Sequence, residues 1–250
     1  MNTTLPLVPG RWLPLNAAES RAFLQRFDTY LHAAFGGGHG ARRHPMRDLR
    51  AVPLTFYPGW LLVEGEADLG GGMVGTFDAL YGPGFLWAID GESRMIHQLN
   101  DGSLPLRSDG AASEGDQPAF YSSPLTQLRA ETSGADYLHF FCGAVRGDQG
   151  AFRLVETQED MLLCGVTSPS HLWQEYLRPV TVREDGEDLI AQAAVLYGGD
   201  LFDATFRVTR SGGVTMEEDT SVATGIAEPE KTREIFRHLR PAAAVRKGGD

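Results

Sequence analysis

Lysine is nearly absent from this chain of 250 residues, because only Lys231 and Lys247 stand among its 22 basic residues. A P-loop requires a lysine directly after its glycines, and the glycine-rich stretch at 36–40 lacks one and follows a predicted helix. We interpret the preference for arginine as a high-GC, bacterial coding bias, with selection for forked contacts to anions as the alternative. The net charge of −11 disfavours nucleic-acid binding, since phosphates repel an acidic protein.

The chain is also poor in cysteine and in long apolar runs. Cys142 and Cys164 cannot by themselves form a disulfide framework or a complete structural zinc site. The uncharged run at 51–63 has 13 residues and two prolines, whereas a membrane-spanning helix needs ~20 apolar residues. The first ten residues lack the basic and apolar regions of a secretory signal. We therefore expect a soluble cytoplasmic protein, with no membrane contact, no bound metal and no cofactor.

The pattern that is present predicts an α+β fold, with helices packed on mainly antiparallel sheets. A helix begins after Asn16, which forms a capping box with Glu19, and its apolar residues recur at helical spacing up to the glycines at 36–38. Five short strands separated by glycine and proline are expected next, at 52–57, 60–64, 73–81, 85–89 and 95–99.

The second half of the chain predicts a buried helix around 137–145, a strand at 151–155 and a short helical piece after Pro169. Alternating apolar and polar residues at 202–209 and 214–217 then predict an antiparallel meander with one buried face. A terminal helix is expected from Pro229 to just before Pro241. We predict an N-terminal lobe at 1–100, a linker at 101–117 and a second lobe at 118–250, with a single domain as the alternative.

One concentrated basic segment stands out in the acidic chain. Guanidinium groups bind carboxylates and phosphates in a forked geometry, so this segment is a candidate site for a small anionic ligand. A solvated loop whose arginines pair with surface carboxylates is the alternative. The candidate ligand-binding residues are His39, Arg42, Arg43, His44 and Arg47.

Aromatic residues crowd into the β-rich stretch at 56–87. Most of them are expected in the core, since aromatic side chains dominate core burial. A few at a rim would form an interface with a partner protein. The candidate interface residues are Trp60, Tyr81, Phe85 and Trp87.

The catalytic motifs that we considered have weak support. His139 and Cys142 lie three residues apart on a predicted helix, but the helix looks buried, and a nucleophilic thiolate needs access. The acidic clusters at 184–188 and 217–219 lack the ligand spacing of a calcium loop and are interpreted as charged turns.

Three functions stay open from the sequence. The first is a binding or accessory protein that holds a partner protein or a small anionic ligand through the arginine and aromatic residues. The second is an enzyme with a non-contiguous site, in which His39, His44 or His97 acts as acid or base and arginines hold an anionic substrate. The third is a structural subunit without a ligand. We favour the first, and the sequence leaves the oligomeric state open.

Overall fold

The α+β class is confirmed by a computed structural model, which describes residues 4–35, 44–103, 123–167 and 170–242. The helices of this part are α1 (Ala17–Phe35), α2 (Ser93–Asn100), α3 (Gly134–Ala144) and α4 (Gln158–Leu163), with a short 3-10 turn at His171–Trp173. The first strands are β1 (Leu13–Pro14), β2 (Met46–Pro53), β3 (Leu61–Gly70), β4 (Met73–Gly82) and β5 (Phe85–Ala88). They are followed by β6 (Arg146–Gly147), β7 (Gly150–Ala151), β8 (Arg153–Leu154), β9 (Thr181–Asp185), β10 (Asp188–Tyr197), β11 (Asp200–Val208), β12 (Val214–Ala223) and β13 (Phe236–Pro241).

The chain forms two compact units that alternate along the sequence. Unit 1 comprises Met1–Gly10, Pro53–Trp60 and Asp90–Glu230, and unit 2 comprises Arg11–Val52, Leu61–Ile89 and Lys231–Asp250. The predicted linker at 101–117 lies mostly outside the described residues, which stop at 103 and resume at 123. The division into lobes on either side of it stays a prediction.

Unit 2 is a sheet covered on one face by α1. Its strands follow the order β1-β2-β3-β4-β13, and β5 also pairs with β4. The predicted capping box begins α1, because the Asn16 side chain accepts from the Glu19 N–H at 3.0 Å and Glu19 accepts from the Asn16 N–H at 2.8 Å. Phe23, Phe27 and Leu31 are buried, and the Phe27 ring stacks on Phe77 of β4 at 4.9 Å. This face is the apolar core of the unit.

Unit 1 is built around a second sheet of order β12-β11-β10-β8, in which β9 pairs with β10. The predicted meander is present, because β10, β11 and β12 pair antiparallel in sequence order. Ala204, Phe206 and Val208 of β11 are buried, and the side chains between them are partly exposed. The predicted buried helix is α3, with Tyr137, Leu138, Phe140 and Phe141 all buried.

The predicted terminal helix is wrong, because β13 occupies that segment and pairs antiparallel with β4. Its pairing register shifts between Phe236 and His238. A bulge adds one residue to a strand, so Phe236 and Leu239 both reach the apolar core although they are three positions apart. Apolar residues three positions apart are also typical of a helix, so the spacing of Phe236 and Leu239 predicts a helix where a bulged strand is present.

Two predictions in the first hundred residues also need correction. Residues 95–99 belong to α2 and not to a strand, since Ile96 and Leu99 are buried at helical spacing. A short apolar run of this kind does not separate helix from strand by itself. The strand expected at 52–57 begins earlier, as β2, and ends at Pro53. Arg47 and Arg50 therefore lie on a strand and not in a loop.

The longest described helix, α1, has 19 residues, and neither it nor any other described helix combines the length and hydrophobicity that crossing a membrane requires.

Candidate functional site

The second face of the unit 2 sheet carries charged side chains where the first carries apolar ones. Side chains alternate along a strand, so Glu64 and Glu66 of β3 share this face with Thr76 and Asp78 of β4. Glu64 lies opposite Asp78 in the strand pairing, and Glu66 lies opposite Thr76. We call this surface the charged face; its ionic side chains are Arg47, Arg50, Glu64, Glu66, Asp78, Arg237 and Arg240.

The inner end of the charged face is a buried ion-pair cluster. Arg237 donates from Nη2 to Glu64 Oε2 at 2.5 Å and from Nε to Asp78, and all three side chains are no more than 2% exposed. Arg50 donates to the other oxygen of Glu64 at 2.8 Å and places its guanidinium over the Trp12 ring. Glu64 and Asp78 are therefore both paired with arginine. A buried charge needs such a partner, because it has lost its contact with water.

The outer end of the charged face is more open. Arg240 Nη2 lies 2.5 Å from Glu66 Oε1, and Arg47 Nε lies 3.6 Å from Glu66 Oε2. The Arg47 side chain is 54% exposed. Asp48 has a φ of 54°, which interrupts the alternation of β2 and lets Arg47 and Arg50, three positions apart, both reach carboxylates of β3.

Two polar atoms at this outer end have no hydrogen-bond partner among the described residues. They are the Thr76 hydroxyl and Arg240 Nε, and both atoms are buried. Thr76 lies opposite Glu66 on one side and opposite His238 on the other. A buried polar group without a partner costs free energy, so its retention calls for an explanation.

A different kind of charged surface lies on the unit 1 sheet. Arg207 of β11 contacts three carboxylates, with Nε 2.5 Å from Glu217 and Nη1 3.2 Å from Asp185 and 3.5 Å from Asp188. These hydrogen bonds raise the pKa of Arg207 above its ordinary value, and the bond to Glu217 makes the largest contribution. Arg207 thereby joins the two acidic clusters of the sequence. The 184–188 cluster spans the predicted turn, whereas the 217–219 cluster lies on β12 and not in a turn.

The strand β12 stands at the edge of that sheet. It pairs with β11 on one side, and no strand of the described residues pairs with it on the other. Most of its ten residues are exposed, including Glu217, Glu218 and Asp219 at its centre. We call these three residues the acidic edge.

One histidine–carboxylate pair lies in unit 1. His139 Nε2 is 3.2 Å from Glu156 Oε1, and that oxygen also accepts from the Val180 N–H at 2.8 Å. The hydrogen bond from His139, followed by that from Val180, lowers the pKa of Glu156 despite partial burial. The pair ties α3 to two loops, and it holds the Glu156 carboxylate in its ionised form.

Three buried titratable groups of unit 1 are not poised for nucleophilic chemistry. Burial raises the pKa of Cys142 to about 12, so its thiol is protonated at neutral pH. Burial also raises the pKa of Tyr57 and of Tyr137. Both tyrosines bond to the Asn100 amide, at 2.5 and 2.7 Å, as a satisfied core network.

The predicted arginine segment is only partly described. His39, Arg42 and Arg43 lie outside the described residues. His44 and Arg47 belong to unit 2, where the His44 ring packs edge-on against Phe236 at 6.0 Å and Arg47 lies beside Glu66. That this segment binds an anion stays a prediction.

The four predicted interface residues are placed differently from one another. Trp60 is 4% exposed in unit 1, and Trp87 is 1% exposed in unit 2. Tyr81 and Phe85 are partly buried on the β4–β5 hairpin, and Tyr81 accepts a hydrogen bond from Arg26 of α1 at 3.2 Å. The two tryptophans therefore serve the core, and their role in an interface stays untested.

The sequence reasoning missed the charged face. A signal for it was present, since Glu64, Glu66 and Asp68 recur at a spacing of two within the β3 segment. The partner Arg237 is not recognisable from the sequence, because it lies more than 150 positions away in a segment whose apolar spacing predicts a helix.

Neither a metal centre nor a relative identifies the chain. Within the described ranges, no group of three or more His, Cys, Asp or Glu side chains is arranged to hold a metal ion. Comparisons with protein-family models, with curated proteins and with solved structures found no match to this chain.

Proposed function

We propose that this chain is a binding or accessory protein, and that an extended, basic segment of a partner protein adds to its sheet beside β12. The observation that carries the proposal is the edge position of β12, which has no neighbour on its outer side among the described residues. An edge strand directs half of its backbone N–H and C=O groups outward, and an extended peptide satisfies them by continuing the ladder.

The charge of the edge favours a basic occupant. Between its two register shifts β12 pairs regularly from Glu218 to Ser221, and Glu218 and Asp219 are both exposed. Glu217 is already engaged by Arg207. Glu218 and Asp219 are neighbours in the strand and face opposite sides of the sheet, so a lysine or arginine side chain opposite either of them would form a cross-strand pair of opposite charge, which stabilises a sheet.

The same charges disfavour a second copy of the chain as the occupant. In an antiparallel pairing of β12 with itself over its full length, Glu218 would lie opposite Asp219 of the second copy. Like charges directly opposite each other destabilise a strand pair. The acidic edge therefore discriminates between partners: it repels its own copies and attracts basic strands.

The partner-binding proposal moves the docking surface away from the arginine and aromatic residues expected from the sequence. The alternative of an enzyme has less support, since the histidine–carboxylate pair His139–Glu156 lies on the same helix as the protonated, buried thiol of Cys142, which is no nucleophile for it. A reducing cytoplasm belongs to the proposal, because Cys142 and Cys164 are both free.

Fluorescence anisotropy with labelled nine-residue peptides tests the proposal. Valine alternates with lysine, serine or glutamate in the three peptides. We expect the lysine peptide to bind most tightly, with an affinity that falls as salt rises, because exposed charges are screened. Failure of all three peptides to bind overturns the proposal.

Matched variants separate the acidic edge from the overall charge. The double variant Glu218→Lys, Asp219→Lys should lose most of the binding. The control Glu131→Lys, Glu159→Lys changes the net charge equally at exposed positions outside β12 and should retain it. A lysine peptide methylated on alternate backbone nitrogens should bind weakly. Equal binding of that peptide would show side-chain attraction without strand addition.

A further inference from the structure

We infer that the outer end of the charged face is a binding site for a small anion that carries a carboxylate or phosphate group, held by Arg47, Arg240 and Thr76. This site is independent of the partner-binding proposal, because all of its residues lie in unit 2. The inference rests on hydrogen-bonding capacity that the described residues leave unused, on local charge and on access.

The unused capacity consists of donors. Arg240 directs Nη2 to Glu66 and Nη1 to the Pro241 carbonyl at 3.4 Å, and its buried Nε has no partner among the described residues. The Thr76 side chain is 1% exposed, and its hydroxyl likewise has no described partner. An N–H group and a hydroxyl on adjacent strands of one face can both donate to a single oxyanion.

The local charge allows one more negative group. Arg47 and Arg240 together face a single buried carboxylate, that of Glu66. Two further carboxylates lie on this part of the sheet: Asp48 is 3.6 Å from Arg47 with its side chain 66% exposed, and Asp68 follows Glu66 on the same face of β3. Both are exposed, so water screens them. The inner end of the face differs, because Glu64 and Asp78 there balance Arg50 and Arg237.

Access is provided by Arg47. Its guanidinium makes no hydrogen bond within the described part of the chain, since both of its carboxylate contacts are at 3.6 Å and more than half of the side chain is exposed. It can therefore turn toward a ligand at little cost, as exposed ion pairs contribute little to stability. A forked guanidinium is the side chain best suited to carboxylate and phosphate oxygens.

The class of ligand follows from these donors. Two arginines and a hydroxyl offer an incoming molecule mainly hydrogen-bond donors, and the hydroxyl oxygen is the one acceptor among these three groups. A ligand with two or three oxygens on one charged centre satisfies them together. A neutral or cationic molecule leaves the donors unpaired and adds no charge complementarity.

Thermal unfolding of the full chain in the presence of sodium phosphate, sodium acetate or sodium chloride tests the inference. Ionic strength is held equal in the three series. We expect a saturable rise of the melting temperature with phosphate, with acetate or with both, relative to chloride. Phosphate alone would identify a phosphate group, acetate alone a carboxylate, and both a general oxyanion site. No saturable rise with either ion overturns the inference.

Two variants locate the effect. Arg47→Gln removes an exposed guanidinium, so this variant without ligand should melt within about 2 °C of the wild type. Thr76→Val replaces a buried hydroxyl that has no described partner by a methyl group, so its melting temperature without ligand should be no more than about 2 °C below that of the wild type. We expect each variant to bind the ion at least tenfold more weakly. The control Arg183→Gln removes an arginine of unit 1 whose side chain is also more than half exposed, and this variant should bind normally. Retained binding in Arg47→Gln or Thr76→Val, or an equal loss in Arg183→Gln, overturns the inference.

Discussion

At the scale of single residues, Arg237 is the side chain on which the buried charges of unit 2 depend. It contacts both Glu64 and Asp78, which lie opposite each other on adjacent strands. Without it, two buried carboxylates of like charge would lose the guanidinium that contacts both of them. A broken buried ion pair is costly because the remaining charge has lost both water and its partner.

We expect Arg237→Met to lower the free energy of unfolding by about 3–5 kcal/mol. Urea titration followed by circular dichroism measures this difference. The control Arg183→Met alters an exposed arginine whose carboxylate contact is 3.8 Å long, and it should change stability by less than about 1 kcal/mol. A similarly small change in Arg237→Met would contradict the stabilising role assigned to the buried cluster.

Glu156 predicts a specific pH dependence. Its pKa is lowered in the folded protein by the hydrogen bonds from His139 and Val180, from an ordinary value of 4.5. A carboxyl group with a lowered folded pKa contributes its full stabilisation above the unfolded pKa, and the contribution is lost as the pH falls through the folded pKa. The stabilisation from Glu156 should thus be complete at pH 7 and should decline below about pH 4.5.

Comparison of Glu156→Gln with the wild type in urea at pH 7, 5, 4 and 3 measures this contribution. The difference in the free energy of unfolding should be largest at pH 7 and smallest at pH 3. Glu131→Gln, at an exposed position, serves as the control. A difference that stays constant over this pH range would mean that the carboxylate is not held in its charged form.

At the scale of elements, the sequence predicted those whose signals are local. The α1 capping box, the strand β4 and the alternating strand β11 each carry their pattern within a few neighbouring residues. The failures share a different property. In α2 the apolar run is too short to show a period, and in β13 a bulge converts a period of two into a spacing of three.

The element β13 is also the one whose removal is most informative. A chain that stops after Glu230 lacks Phe236, which packs in the apolar core, and Arg237. We expect α1, β3 and β4 to lose most of their protection from amide hydrogen exchange in this truncation. A chain that stops after Ala242 keeps β13 and should show protection like that of the full chain. Unchanged protection without β13 would show that the rest of the unit 2 sheet is stable alone.

At the scale of the whole molecule, the α+β class was predictable from the sequence and the arrangement of the candidate sites was not. Composition and periodicity report on neighbours along the chain, whereas both charged surfaces join distant segments. Arg207 connects acidic clusters near positions 185 and 217, and Arg237 reaches back to Glu64. Ion pairs of this range follow from topology, and a single sequence contains no record of which arginine meets which carboxylate.

The interleaving of the two units has a consequence for protein synthesis. Unit 2 draws its strands from residues 11–52 and 61–89 and its last strand from the segment after 230, so its sheet is incomplete until nearly the whole chain has left the ribosome. Until then Glu64 and Asp78 have no Arg237 to neutralise them. The nascent chain therefore carries these two carboxylates without the Arg237 guanidinium for at least the time that the 141 residues 90–230 take to be translated, about 7–30 s at ~5–20 residues per second.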